Sequence, residues 1–345
     1  MAKRLAVRAA QIALSMLAAG FVYQQVGSAL DRRIRSAGGR LVPVRGKTIH
    51  VRLQGHGTPP VVFESGIGAS SLSWWFVQPQ VAKFTATVSY DRPGLGASSG
   101  GGGKSTVADR IADLRSLLTE AGLDPPFVMV GHSFGALLVR AYAAVCPREV
   151  AGLVLVDPVS IETWAHYEEP ELRRLQLGVK LCRRGVWAAQ FGLVRGALWA
   201  LVKGGRWFPK LAARLSGPKG TAAMTNLVGE VRKLPPEVWP IVRAHWSDPK
   251  CFRGLAEHLE QLPKAAGFAA RQEPRGIPTI ILSAGSANAR ELEERDRWVR
   301  DGGAHSRHLQ IPDSGHWLHL EHPDAVIGAI REAIMTKPSR DEREG

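Results

Sequence analysis

The chain has 345 residues, 45% of them hydrophobic, and 45 Lys and Arg against 31 Asp and Glu, for a formal net charge of +14. This length and apolar content exclude a disordered or fibrous chain and fit one large domain with an insertion, or two domains. Cys146, Cys182 and Cys251 are too scattered for a disulfide framework or a metal site, no nucleotide-binding glycine loop is visible, and no cofactor is expected. Basic charge leaves nucleic acid and anionic membranes as partner classes, and the absence of any DNA- or RNA-reading motif argues against nucleic acid.

Lys3, Arg4 and Arg8 precede a charge-free run from Ala9 to Leu30, and Arg32, Arg33 and Arg35 follow it. As a helix that run reaches about 33 Å, enough for a bilayer core. Residues 1–35 therefore read as a single-helix membrane anchor separable from the folded body. The alternatives are an export signal cleaved after Ala29 and a surface-lying or docked helix.

Leu41–Val44 and Thr48–Leu53 read as a hairpin across Gly46-Lys47, and Pro60–Glu64 as a third strand running into Ser65-Gly66-Ile67-Gly68. Helical spacing runs from Ser71 to Lys83, a strand from Ala86 to Tyr90, and a turn over Asp91-Arg92-Pro93-Gly94. Gly96-Ala97-Ser98-Ser99-Gly100 matches G-x-S-x-G but has no flanking strand or helix, so it reads as a flexible loop. A helix is expected over Thr106–Ala121, with Asp109, Asp113 and Arg115 outward.

Residues 127–135 read F-V-M-V-G-H-S-F-G, and an apolar helix pattern continues from Ala136 to Cys146. A strand, a tight turn and a helix would lift the Ser133 hydroxyl clear of the backbone, with the helix N-terminus behind it. Gly131 and Gly135 flank it where packing leaves no room for a Cβ. Ser133 is the candidate nucleophile. Gly152–Val156, continuously apolar like Phe127–Val130, closes a βαβ unit in a buried parallel sheet.

Regular alternation then stops, and residues 158–275 read as helix-rich with scattered Pro, Gly and Trp. From Arg173 to Lys219 there are eleven Lys or Arg and no Asp or Glu, interleaved with Trp187, Phe191, Trp199, Trp207 and Phe208. That stretch suits an anionic membrane surface, and equally a solvated basic face over core tryptophans. Alternation resumes with strand Pro278–Ser283, a helix over 289–300, strand Ser306–Ile311 and helix Pro323–Met335, before a charged tail at 337–345. The fold class is α/β, a doubly wound, mostly parallel sheet. Its core comprises 41–157 and 276–336, and a helical lid (158–275) is inserted after the sixth strand.

Four features occur together and in order: the turn at Ser133, Y-D-R-P-G-L-G-A-S from Tyr90, S-G-I-G at 65–68, and D-S-G-H-W at 313–317. Over residues 41–336 the chain resembles the α/β-hydrolase superfamily. A serine nucleophile needs a base, and His316, on a loop after the last strand, is the candidate ahead of His319 and His322. The family usually places its acid after the seventh strand, where this chain has Asn288 and no carboxylate. Asp157, at the end of the sixth strand, is the candidate acid, with Glu291, Glu293 or Glu294 as the alternative. The resemblance implies an oxyanion hole from the backbone N–H groups of Ile67 and Phe134, with Gly66 and Gly68 letting the loop approach the substrate; Ser65 replaces the usual histidine. Arg92 is expected to brace its own turn.

The expected activity is serine-dependent cleavage of a fairly apolar carboxylic ester through an acyl-enzyme. Acyl transfer, thioester cleavage and carbon–carbon bond hydrolysis share the same groups. Epoxide hydrolases and haloalkane dehalogenases need a carboxylate where Ser133 stands. A non-catalytic binding protein on the same scaffold is the competing class.

Overall fold

The computed structural model describes residues 2–100, 103, 105–202 and 233–336. Trp207, Phe208, the distal part of the basic stretch and the tail at 337–345 lie outside the described residues. Eight strands form one sheet: β1 (Arg40–Val44), β2 (Lys47–Gln54), β3 (Val61–Glu64), β4 (Thr87–Tyr90), β5 (Phe127–His132), β6 (Val150–Val156), β7 (Thr279–Ala284) and β8 (Arg307–Ile311). Their order across the sheet is β1-β2-β4-β3-β5-β6-β7-β8. The β1–β2 hairpin and the β2–β4 pair are antiparallel, and every other pairing is parallel.

Every residue of β3, β5 and β6 is buried, as continuous apolar runs require when helices cover both faces. Alternate residues of β5 serve opposite layers. Phe127 and Met129 join one core with α3 (Val107–Glu120) and α4 (Phe134–Val145). Val128 and Val130 join the other, with Trp74, Ile330 and the final helix. The β5–α4 turn sits mid-sheet, where the carboxyl ends of β5 and β6 expose a crevice edge.

Three local expectations need correction. The stretch from Ser71 to Lys83 is a 3-10 turn (Ser71–Trp74) followed by a four-residue helix α2 (Gln78–Val81). Asp91 captures the Ser71 amide and hydroxyl at 2.8 Å each, and Pro79 favours a fresh helix start. Asp113 is buried, paired with Lys47 and Arg45. Ser98 is fully buried: its hydroxyl donates to Asp91 O and accepts from His50 N, and Gly96 has φ +49 with a Cβ position overlapping the Asp91 carboxylate. That loop is a fixed brace.

Between β6 and β7 run α5 (Ile161–Ala165), α6 (Glu169–Gln190), α7 (Leu193–Val202), α8 (Trp239–Trp246) and α9 (Pro249–Ala270). After β7 come α10 (Ala289–Asp301), α11 (Leu318–Glu321) and α12 (Pro323–Met335).

The N-terminal segment is one helix, α1 (Ala2–Arg35), long and apolar enough to cross a membrane by length and composition. It also packs against the folded body. From Gly20 onward it docks on α8, and Arg195 of α7 reaches it: Gln24 donates to Ser247 O (2.8 Å), Arg35 pairs with Asp248, and Asp31 holds Arg195 at 2.6 Å.

Candidate active site

Ser133 links β5 to α4 with φ +54 and ψ −116, a conformation a non-glycine residue adopts only under constraint. Its N–H donates to Val156 O (3.0 Å), tying the turn to β6. A Cβ at Gly131 would fall 2.6 Å from the Ala136 backbone, and one at Gly135 2.3 Å from Glu64 O. Both positions exclude any side chain, so strand and helix close around the serine.

Asp157 follows β6 with φ +38, and its N–H donates to Leu282 O (2.7 Å). One carboxylate oxygen accepts from Ala284 N (3.0 Å) and lies 3.1 Å from Arg295 Nη1. The other lies 2.6 Å from His316 Nδ1. Burial pushes the Asp157 pKa up, but hydrogen bonds from His316 and Ala284, with Arg295 nearby, outweigh it and leave the net value below the ordinary carboxylate range. His316 stands on the loop after β8 with its side chain half exposed, so its ring is held at Nδ1 and open elsewhere.

The rival residues His319, Asn288, Glu291, Glu293 and Glu294 are buried or paired with other groups. His319 is fully buried, and desolvation, with His316 and Lys233 adding, pushes its pKa down to about 3. Asn288 and Glu291 cap α10 reciprocally. Glu294 accepts from Glu162 N, and exposed Glu293 lies near Arg297. His132 packs beneath His316 with ring centres 4.7 Å apart, and its Nε2 lies 2.8 Å from His316 O. Burial, then neighbouring His319 and His316, drives the His132 pKa far down, so this layer is neutral.

The 65–68 loop is held from two sides. Arg92, itself bound to Glu64, donates to Ser65 O (2.6 Å) and to Gly66 O. A trans peptide directs its N–H opposite to its C=O, so fixing Gly66 O fixes the direction of the Ile67 N–H. Arg92 thus braces this loop as well as its own turn. From above, His245 of α8 bridges two loops: its Nδ1 accepts from Gly96 N (3.0 Å), which assigns the proton to Nε2, 3.2 Å from Gly68 O. His258 of α9 accepts from Gly68 N (3.4 Å) and stacks on Phe134. Desolvation lowers the His245 pKa to about 4, so the ring stays neutral. Gly68 has φ +67.

The sequence singled out Arg92, but only as a brace for its own turn. His245 and His258 sit in no motif, and no pattern could have found them.

A cavity of about 300 Å³ lies beside this region, lined by Ile49, Glu64, Arg92, Arg110, Leu138 and Glu257 among others. Neither Ser133, Asp157 nor His316 lines it. Among the described residues no group of three or more His, Cys, Asp or Glu is placed to hold a metal ion.

A family model described as alpha/beta hydrolase fold matches residues 59–323. RutD of Klebsiella pneumoniae, provisionally named a carbamate hydrolase, is 33% identical over 295 residues, covering 83% of this chain and 96% of RutD. Other curated matches are partial: YqjL of Bacillus subtilis is 35% identical over 98 residues, 28% of this chain and 39% of YqjL. The chain spans less than two thirds of the length of several such relatives. A thermophilic esterase from Thermogutta terrifontis superposes with TM-score 0.56 at 21% identity, covering 88% of this chain and 100% of the esterase. A Pseudomonas aeruginosa protein provisionally described as an epoxide hydrolase superposes with TM-score 0.62 at 19% identity, covering 86% and 97%. These superpositions speak to fold alone. With the sheet order, the turn at Ser133 and the match over 59–323 all in agreement, the chain belongs to the α/β-hydrolase fold family.

Proposed function

We propose that the protein is a serine hydrolase that cleaves carboxylic esters of fairly apolar substrates through an acyl-enzyme. The observation that carries this reading is the 2.6 Å contact between Asp157 and His316 Nδ1, at the same sheet edge as the strained Ser133 turn. Asp157 keeps the Nδ1 proton, which leaves His316 Nε2 free to take the Ser133 proton during attack. The oxyanion is received by the N–H groups of Phe134 and Ile67. His316 then protonates the leaving alcohol, and water repeats the cycle on the acyl-enzyme.

An epoxide or haloalkane substrate would need a carboxylate nucleophile, and Ser133 stands at the turn instead. A carbamate carbonyl would call on the same groups as an ester, so the RutD match is compatible with this mechanism. The described helices of the 158–275 insertion act as a lid over the crevice, and α1 anchors the protein in a membrane. The test is a panel of p-nitrophenyl esters of increasing acyl length. Turnover rising with chain length and vanishing in Ser133→Ala and His316→Ala supports the reading. Turnover unchanged in Ser133→Ala refutes it, and folded wild type that turns over none of the esters favours a binding protein.

A further inference from the structure

A helix of a water-soluble protein buries apolar residues and exposes polar ones. The docked half of α1 does the reverse. Gln24 and Asp31 are 1% and 2% exposed and face the protein, whereas Val22, Val26 and Leu30 point outward, Leu30 at 69% exposure. The buried Gln24, Asp31 and Arg35 and the half-buried Gly20 and Ser28 recur at helical spacing, so a largely polar stripe is turned inward.

The neighbouring helix α7, joined to it through Arg195, is built the same way. Arg195 is the only charged residue of α7, and it is 5% exposed. Its Nη1 pairs with Asp31 (2.6 Å) and its Nε with Gln24 Oε1 (3.1 Å). Gly27 makes room: a Cβ there would fall 2.6 Å from the guanidinium. On its outer side α7 presents Leu193 at 67% and Trp199 at 51% exposure. Just before it, Trp187 is 68% exposed and stacks on Phe191.

In water this arrangement is unfavourable twice: apolar surface stays wet, and an ion pair loses its hydration. In hydrocarbon the first cost disappears, because the outward apolar groups meet lipid, and the inward polar groups are already satisfied by one another. The surface also continues into the first half of α1, where residues 3–19 are all exposed. Charged residues bound the apolar run at Arg8 and at Asp31, Arg32 and Arg33, so the contacts at 20–28 fall within its C-terminal half and Asp31 lies at its edge.

We infer that α7 and the docked half of α1 form one bilayer-embedded surface, with the Arg195–Asp31 pair enclosed at its edge and Trp187 and Trp199 in contact with lipid. The occupant is lipid. The inference rests on the anchor reading of α1 and goes beyond it, because it places a helix from between β6 and β7 in the membrane. The contact is apolar at its centre, and the basic residues of α6 stay at the rim. A cut after Ala29 would remove Gln24 and Ser28 from around Arg195, so α1 is retained as part of the body.

The test uses the full chain in phosphatidylcholine–phosphatidylglycerol vesicles, with and without dibrominated acyl chains, which quench tryptophan on contact. Flotation is measured first. The protein has ten tryptophans, so the double variant Trp187→Phe/Trp199→Phe is compared with wild type. The expected result is co-flotation of both proteins, with bromolipid quenching reduced by about half or more in the variant. Co-flotation with equal quenching in both would overturn the inference while sparing the anchor. Failure to float would remove the anchor and the inference together. Disulfide-linked dimers of a Leu193→Cys variant in vesicles would mean that a second copy covers this face, and would also overturn it.

Discussion

Asp157→Asn changes one atom and almost no volume, yet three contacts must be redistributed. The carboxylate accepts from Ala284 N, meets His316 Nδ1 and lies beside Arg295, whose side chain is 4% exposed. An amide has one acceptor oxygen. If that oxygen keeps Ala284, the NH₂ faces His316 Nδ1, and the ring must accept there and carry its proton on Nε2. In that tautomer His316 cannot take the Ser133 proton. The loss expected is up to about 10⁴-fold in kcat, or about 5.4 kcal/mol of barrier. The assay is kcat on a p-nitrophenyl ester, alongside a circular-dichroism melt confirming that the variant is folded. A folded variant within tenfold of wild type would refute Asp157 as the acid and direct the search to 291–294. The pH dependence has a defined sign. The folded Asp157 pKa lies below the ordinary value. Its stabilising contribution is therefore complete above the unfolded value of about 3.9 and is lost as pH falls through the lower folded value. Wild type should therefore be less stable to urea at pH 3 than at pH 5, and Asp157→Asn should lose part of that difference.

Asp31→Ala leaves Arg195 buried without its anion, and should cost about 3–5 kcal/mol in a detergent-solubilised urea titration. An unchanged midpoint would mean that the pair contributes nothing, and that α1 docks by packing alone. Gly135→Ala puts a methyl 2.3 Å from Glu64 O and should sharply reduce the yield of folded protein; normal yield and turnover would show that the β5–α4 turn can relax. His245→Ala removes the bridge between Gly96 and Gly68 and should lower kcat by roughly tenfold to a hundredfold, less than deleting an oxyanion donor, with KM nearly unchanged. His245→Gln, which keeps a neutral donor toward Gly68 O, should recover part of that loss, and a drop confined to KM would contradict the role.

The sheet was legible because β5 and β6 are buried on both faces, which forces uninterrupted apolar runs that composition alone exposes. The turn at Ser133 was legible because steric demands on both sides select glycine at 131 and 135, leaving a fixed spacing. Asp157 could be nominated only as the carboxylate left at the correct sheet edge. Its contact with His316 joins residues 159 apart in sequence, which no local pattern encodes. The same limit hid His245 and His258, whose partners on the 65–68 loop lie 177 and 190 residues away. The N-terminal helix misled differently. Its apolar run is plain, but the stripe Gln24, Ser28, Asp31 and Arg35 reads as dilution at the end of a span until Arg195 is seen against it. Residues 71–83 failed as one helix because Asp91, distant in sequence, claims the start of the segment.

The most direct measurement is labelling of the full chain by a fluorescent alkyl phosphonate, which mimics the tetrahedral intermediate and traps only an activated serine. The expected result is a single adduct on Ser133 by peptide mass, absent in Ser133→Ala and strongly slowed in His316→Ala. Labelling that persists in Ser133→Ala, or none at all in folded wild type that also leaves every ester intact, would contradict a serine nucleophile at this turn.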